Sequence, residues 1–310
     1  MNEKYLAVTS PVADIRRKPV ESLGGYMHDD LQETQVLYNE LLLYRHCDKD
    51  WYYVEAIEQK KFAHDNSWAG YSGWIKNTSV VFLDKPVPYD VTVKNHDTFL
   101  LEESSDSSNN LSYIPIGTRL AVKESSPKGY YRVFLNDGKT GWIKQSAVNK
   151  KNALPSLSTL RENIASTAII FLGVPYLWGG RSMVSAKAKE FDVVCFGVDC
   201  SGLTNLVFRI NNIDIPRDAQ DQWIMAENIA HKHLKTGDLI FLSAEDRKDR
   251  IVHVMIYLGK NLFIEALETG SSVKMDDFRN RFGIDMTGDV YQNPVINGKH
   301  MYFGRFLSEK

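Results

Sequence analysis

Three side chains in this 310-residue chain have the types and settings for nucleophilic chemistry. Cys200 lies in Gly197-Val198-Asp199-Cys200-Ser201-Gly202-Leu203, where a glycine-rich loop leads into an apolar stretch of helical character. At a helix start, unpaired backbone N–H groups and the positive end of the dipole favour a thiolate and can hold an oxyanion. The same pattern suits a buried structural thiol equally well, since free cysteine is among the most buried residues. A thiol nucleophile needs a base. Of eight histidines, His253 stands out inside the apolar strand Ile251-Val252-His253-Val254-Met255-Ile256-Tyr257-Leu258-Gly259. His231 and His233 flank Lys232 in a polar stretch and read as solvent-exposed, because no further ligand cluster accompanies them. Cys195, in apolar Val193-Val194-Cys195-Phe196, and Cys47 read as buried structural thiols.

The third side chain is Glu265. The strand of His253 turns at Gly259-Lys260-Asn261 into Leu262-Phe263-Ile264-Glu265. A three-residue loop centred on Gly259 sets His253 opposite Glu265, where a carboxylate orients the imidazole and stabilises its charged form. A two-residue loop slips the register by one and turns Glu265 away. The sequence leaves both registers open.

These residues need a framework. The composition, 43% hydrophobic and 25% charged, is that of a globular chain and excludes disordered or collagen-like classes. Three cysteines are too few for a disulfide framework. A net charge of −2 gives no basic field for nucleic acid or anionic lipid. No window approaches the ~18 apolar residues of a membrane span. The N-terminal residues carry no apolar stretch of a secretory signal, so the expectation is a cytoplasmic protein, or an exported one if a leader preceded Met1. The first half is dense in strand signals and contains an internal repeat. Gly70-Tyr71-Ser72-Gly73-Trp74-Ile75-Lys76 recurs as Gly138-Lys139-Thr140-Gly141-Trp142-Ile143-Lys144, each copy after an aromatic strand. A hairpin leading into Gly-Trp-Ile fits a small bent β-barrel, with glycine at the bend and tryptophan in the core. Two barrels are expected, 1–85 and 86–150, joined at Pro86-Val87-Pro88. After the linker Lys150-Lys151-Asn152, Ser158 is a candidate helix cap, and the rest mixes helices with a final run of strands. The expected architecture is two β-barrels followed by one α+β domain, 152–310.

Four motifs carry a resemblance. Pro175-Tyr176-Leu177-Trp178-Gly179-Gly180, Asp199-Cys200-Ser201-Gly202-Leu203, Gly237-Asp238-Leu239-Ile240-Phe241 and His253-Val254-Met255-Ile256-Tyr257-Leu258-Gly259 resemble, in that order, the motifs of the NlpC/p60 cell-wall peptidases. The two upstream barrels resemble bacterial SH3-like domains. The whole chain is similar to the three-domain γ-D-glutamyl-L-diamino-acid endopeptidases. The resemblance implies a papain-like core with Cys200 as nucleophile, His253 as base and Glu265 as orienting group, although members often have His at that third position. It implies that Tyr176 stands near the oxyanion site, that Trp178 lines the groove and that Ser201 adds a contact beside the nucleophile. It also implies recognition of a free L-Ala amino terminus. Asp218, in Ile215-Pro216-Arg217-Asp218-Ala219, matches the family's acidic residue for that amine, and Arg217 is expected to pair with the D-Glu α-carboxylate. Ala219 stands where the family often has serine. Glu33 and Tyr71 of the first barrel are expected to close the groove around the amine. The connection Arg181 to Val198, longer than in the family, reads as a surface loop with no assigned role.

The expected function is therefore hydrolysis of the γ-D-Glu–L-diamino acid bond in murein peptides by a monomer, with no metal or organic cofactor. Its competitors are a non-catalytic murein-peptide-binding protein and an amidase or acyltransferase on the same core. Intact Cys200 and His253 disfavour the first. The Arg217-Asp218 pair and the tandem barrels disfavour the second, because they suit a small zwitterionic peptide better than a lipid.

Overall fold

The computed structural model describes residues 3–22, 24–25, 28–153, 155–191, 195–284 and 294–307. Its first half forms two antiparallel seven-stranded sheets. Across the first the strands run Gln32–Leu37, Val12–Arg16, Trp68–Lys76, Trp51–Phe62, Leu41–Asp48, Lys4–Val8 and Val80–Leu83. Across the second they run Asn110–Tyr113, Phe99–Leu101, Thr140–Lys144, Tyr130–Phe134, Arg119–Ser126, Val91–Val93 and Val148–Lys150. Position for position the two orders are the same, so the Gly-x-x-Gly-Trp-Ile-Lys repeat is the trace of a whole repeated unit. Each copy runs into a short 3-10 turn, Asn77–Ser79 and Gln145–Ala147. The ladder does not join the outermost strands of either sheet, so the expected closed barrels are not formed.

The repeat works differently from the sequence expectation. Trp74 and Trp142 are only half-buried. Ile75 and Ile143, 1% and 0% exposed, fill the two cores instead, because adjacent strand residues point to opposite faces. The glycine serves close approach. A Cβ on Gly73 would lie 2.8 Å from the carbonyl oxygen of Arg16, and one on Gly141 2.8 Å from that of Leu101, both on the neighbouring strand.

The second half is one sheet flanked by helices. Helix α1 (Leu157–Ile170) is capped by Ser156, not Ser158: the Ser156 hydroxyl accepts from the Thr159 N–H at 3.2 Å, since the cap must precede the first helical residue. Helix α2 (Cys200–Ile210) and helix α3 (Ala219–Met225) follow. The sheet order is Glu227–Ile229, Lys299–Arg305, Leu239–Ser243, Ile251–Gly259, Leu262–Glu265 and Lys274–Asp277. A short helix α4 (Phe278–Phe282) closes its far edge. On one face α1 and α2 pack Ile164, Ala168, Leu203, Leu206 and Val207 onto Leu239, Phe241, Val254 and Ile256. Each such fully buried aliphatic contributes about 1.5–3 kcal/mol of transfer free energy.

Helix α2 is buried on every side from Ser201 to Ile210. Leu37 of the first sheet and Ile116, beside the second, belong to the same apolar cluster, so both N-terminal sheets close over α2. Of the connection 181–198, expected to be a surface loop, residues 181–188 contribute to this closure. Arg181 is fully buried, with its guanidinium on Glu40 at 3.0 Å and on Asn205 at 2.6 Å. Ser182 donates to Gln35, and Lys187 pairs with Asp97 of the second unit, both at 2.6 Å. Among the described residues no helix is long and apolar enough to cross a membrane.

Candidate active site

Cys200 is the first residue of α2. The first N–H groups of a helix have no partner within it, and those around Cys200 stand at the floor of a groove of about 580 Å³. Asp199 caps the helix: its Oδ1 accepts from the Gly202 N–H at 2.6 Å, and its Oδ2 from the Gly179 N–H at 3.1 Å. One carboxylate thus ties the Cys200 helix to the Trp178–Gly180 turn. Gly202 allows the tie, because a Cβ there would meet the carbonyl oxygen of Gly180 at 2.1 Å.

Beneath Asp199 lies Arg217, 1% exposed. It donates to both Asp199 oxygens at 2.9 and 2.8 Å, to Ser201 Oγ at 2.9 Å and to Thr34 Oγ1 at 2.7 Å. The expectation that Arg217 faces a substrate carboxylate is overturned: its guanidinium is fully engaged under the groove and does not line it. Ser201, 6% exposed, lines the floor beside Cys200, with its hydroxyl held by Asp199 and Arg217.

His253 projects from the strand Ile251–Gly259 into the same groove as Cys200. Its Nε2 lies 2.8 Å from Glu265 Oε2. Neither simple register expected from the sequence produces this. The turn has two residues, Lys260 and Asn261, both left-handed at φ 51° and 65°. Tyr257 pairs Phe263 but Gly259 pairs Leu262, so one residue bulges out. The bulge undoes the one-residue slip and returns Glu265 to the face of His253, diagonally placed. Burial disfavours the imidazolium, but hydrogen bonds and charge from Cys200 and Glu265 outweigh it and hold the ring at about 9. Glu265 is fully buried. Burial pushes its carboxyl up, and the His253 and Arg281 partners bring it below its ordinary value. Its other oxygen accepts from Arg281 Nε at 3.0 Å.

The opposite end of the groove is acidic. Asp218 occupies the cap position of α3, yet its side chain makes no capping bond. It turns into the groove, where the Tyr71 hydroxyl lies 3.2 Å from Asp218 Oδ2 and 3.2 Å from Glu33 Oε2. Burial pushes the Asp218 carboxyl up against the pull of Arg217 and Lys61. Burial and the two carboxylates push the Tyr71 hydroxyl well up, so it stays protonated. Lys61 Nζ lies 3.8 Å from Asp218 and 4.0 Å from the Tyr71 ring centre. Tyr176 and Trp178 line the groove near Cys200. Tyr176 is 7% exposed, and burial with the charges of Asp199 and Cys200 keeps its hydroxyl protonated. Trp178 is 41% exposed, with its ring against His28.

Residues 173–290 match the NlpC/P60 family. Over 267 residues the chain is 31% identical to a γ-D-glutamyl-L-lysine dipeptidyl-peptidase of Bacillus subtilis (strain 168), covering 84% of this chain and 81% of the relative. The chain belongs to the NlpC/P60 family. A protein of the same name from Bacillus cereus is 27% identical over 78% of this chain and 69% of its own. The crystal structure of an NlpC/P60 family protein from Bacillus cereus superposes with a TM-score of 0.75 over 98% of this chain and 100% of that one, at 22% identity, which extends the shared fold to the N-terminal sheets.

Within this NlpC/P60 chain, nine of the ten residues singled out from sequence stand at one groove or directly behind it; Arg217 alone is turned under its floor. Three further residues escaped the sequence reading. Lys61 and Arg250 are cations of the groove wall, and Arg281 backs Glu265. A lone lysine or arginine in a polar stretch carries no local signal, so only the fold brings these to the site. Cys195 is half-buried, its Sγ 3.3 Å from the Gly25 carbonyl, and burial pushes its thiol up to about 11. Val193 and Val194 lie outside the described residues. Cys47, expected buried, is exposed at the end of a hairpin strand. His231, expected exposed, is 8% exposed beside Phe303.

Proposed function

We propose that this chain is a cysteine peptidase that hydrolyses the γ-D-Glu–L-diamino acid bond of murein peptides with a free N-terminal L-Ala. The observation that carries the reading is one groove holding a thiol–imidazole–carboxylate line at its middle and two carboxylates with a shared hydroxyl at its end. The names of its relatives, γ-D-glutamyl-L-lysine dipeptidyl-peptidases, agree with it.

An α-ammonium has three N–H donors. Glu33, Asp218 and the Tyr71 oxygen give it three acceptors, and the hydroxyl's single proton can serve only one carboxylate at a time. With the amine fixed there, the γ-carbonyl of the second residue reaches Cys200. The thiolate attacks that carbon, and backbone N–H groups at the start of α2, with the Tyr176 hydroxyl beside them, hold the oxyanion. His253 as imidazolium protonates the leaving amine of the diamino acid. The ring, now neutral, takes a proton from water as that water attacks the thioester. L-Ala-γ-D-Glu leaves and Cys200 is restored. Trp178 walls the leaving-group side, and Ser201 holds the floor.

Because the L-Ala nitrogen is acylated while the peptide remains on the glycan, an amine-reading site acts on peptides already released. Lys61 and Arg250 are then the wall cations that can face the D-Glu α-carboxylate. We read the two N-terminal sheets as SH3-like modules, 1–85 and 86–150, ahead of a papain-like domain, 152–310. Every group named comes from a single chain, so a monomer suffices.

The test is incubation with L-Ala-γ-D-Glu-diaminopimelate and its N-acetylated analogue, followed by mass spectrometry. Release of L-Ala-γ-D-Glu from the free peptide alone is expected. Cleavage of both would overturn the role of the acidic end, and cleavage of neither would overturn the peptidase reading.

A further inference from the structure

Glu265 poses a problem of charge. It is fully buried, and a buried carboxylate needs compensation. If His253 were its only partner, the full charge of the carboxylate would bear on the imidazolium, and the ring would yield its proton to a leaving amine more reluctantly. The fold supplies a second cation on the other oxygen. Arg281 Nε donates to Glu265 Oε1 at 3.0 Å, while His253 holds Oε2 at 2.8 Å. Lys274 stands 3.7 Å from the same Oε1 but is drawn to Asp276 at 2.9 Å.

Arg281 is placed for this by helix α4. Asp277 caps that helix by accepting from the Asn280 N–H at 2.9 Å, and Phe278, 1% exposed, anchors it against Phe263 and Phe282. The guanidinium also lies 5.0 Å from the centre of the Phe282 ring. Its position is thus set by packing and not by the carboxylate alone.

We propose that Arg281 is a positioning residue of the site: it fixes Glu265 through Oε1 and offsets part of its charge, so that Glu265 orients the His253 ring while holding its proton less tightly than a lone carboxylate would. Glu265 and Arg281 together bear on the histidine less strongly than the carboxylate alone would. The inference rests on the peptidase reading for its consequence in turnover, but not for its effect on the ring itself.

The charged groups in play are few. His253 faces Cys200 and Glu265; Glu265 faces His253, Arg281 and Lys274; Arg281 additionally feels Asp276. Removing Arg281 leaves Glu265 less compensated, so His253 should titrate higher, on the order of one pH unit for loss of a neighbouring charge.

The experiment compares wild type, Arg281→Gln, Arg281→Lys, Glu265→Gln and the Glu265→Gln/Arg281→Gln double variant. Each is checked for folding by thermal melt. Two readouts are taken: the pH profile of kcat and KM on L-Ala-γ-D-Glu-L-Lys, and the NMR titration of the His253 ring, assigned with His253→Gln. Arg281→Gln should move the ring titration up by about a unit and lower kcat at neutral pH about tenfold with KM within twofold, and Arg281→Lys should restore most of both. In the Glu265→Gln background the same Arg281→Gln change should move both readouts clearly less, because the arginine acts on the ring chiefly by placing the carboxylate. An unshifted ring in Arg281→Gln, or an equal shift in both backgrounds, would overturn the proposal. No turnover by wild type would sink the peptidase reading while the ring titration still decides the role of Arg281.

Discussion

Arg217 grips both carboxylate oxygens of Asp199, at 2.9 and 2.8 Å, from beneath the helix that begins at Cys200. Its Nε reaches Thr34 of the first sheet at 2.7 Å, so one guanidinium joins the helix cap to the N-terminal half. Removing one partner of a buried ion pair costs about 3–5 kcal/mol. Arg217→Met should therefore lower the unfolding free energy from urea titration by a margin of that size, with a lower midpoint, and Arg217→Lys should recover only part, since an ammonium cannot donate as a planar fork. An unchanged midpoint would mean that the Gly179 and Gly202 N–H groups satisfy Asp199 alone.

The His253–Glu265 pair predicts a pH dependence of stability. The ring stands at about 9 in the folded chain, above its ordinary ~6.5, so its contribution is fully present below ~6.5 and is lost as pH rises through about 9. Glu265 is lowered, so its contribution is present above the ordinary ~4.3 and is lost as pH falls through the folded value. Unfolding free energy against pH should thus decline on the alkaline side in wild type and less so in Glu265→Gln. Parallel alkaline limbs in the two proteins would contradict the pairing.

What was legible in the sequence and what was not divides by range. Cys200 at a helix start and His253 in a strand are local patterns, and both stand where the pattern set them. The repeat around Gly73 and Gly141 announced a duplicated unit, yet its inward residue is isoleucine, because strand alternation and not size decides which side chain is buried. Glu265 depended on a single bulged residue, which no local signal marks. Arg217 failed for a different reason. Its neighbour Asp218 does face the groove, and consecutive residues there point oppositely, one to the cavity and one to Asp199. The connection 181–198 read as a surface loop from its charge, while the partners of Arg181, Ser182 and Lys187, namely Glu40, Gln35 and Asp97, lie about 90 to 150 residues away in sequence.

At the acidic end, Tyr71→Phe removes the oxygen shared by Glu33 and Asp218 without changing net charge. A hydrogen bond to a charged group is worth about 1.5–3 kcal/mol, so KM for a free-amine peptide should rise roughly 10- to 100-fold with kcat little altered. Glu33→Gln should act in the same direction. Steady-state kinetics on L-Ala-γ-D-Glu-L-Lys decide this: a loss confined to kcat would remove Tyr71 from amine recognition.

Arg250 is the wall cation best placed to read the D-Glu α-carboxylate once Arg217 is excluded. Arg17 is bound to Glu33 at 2.5 Å and Lys61 is turned to Asp218 at 3.8 Å, whereas Arg250 has no carboxylate partner among the described residues. Ala219, next to Asp218 in the same groove, offers no hydroxyl to take that part. A carboxylate meeting this guanidinium near the surface gains about 1 kcal/mol, or roughly fivefold in KM. Wild type should therefore prefer the α-carboxylate peptide to its α-carboxamide by about that factor, and Arg250→Gln should erase the preference while leaving carboxamide turnover intact. If Lys61→Met erases it and Arg250→Gln does not, the carboxylate belongs to Lys61.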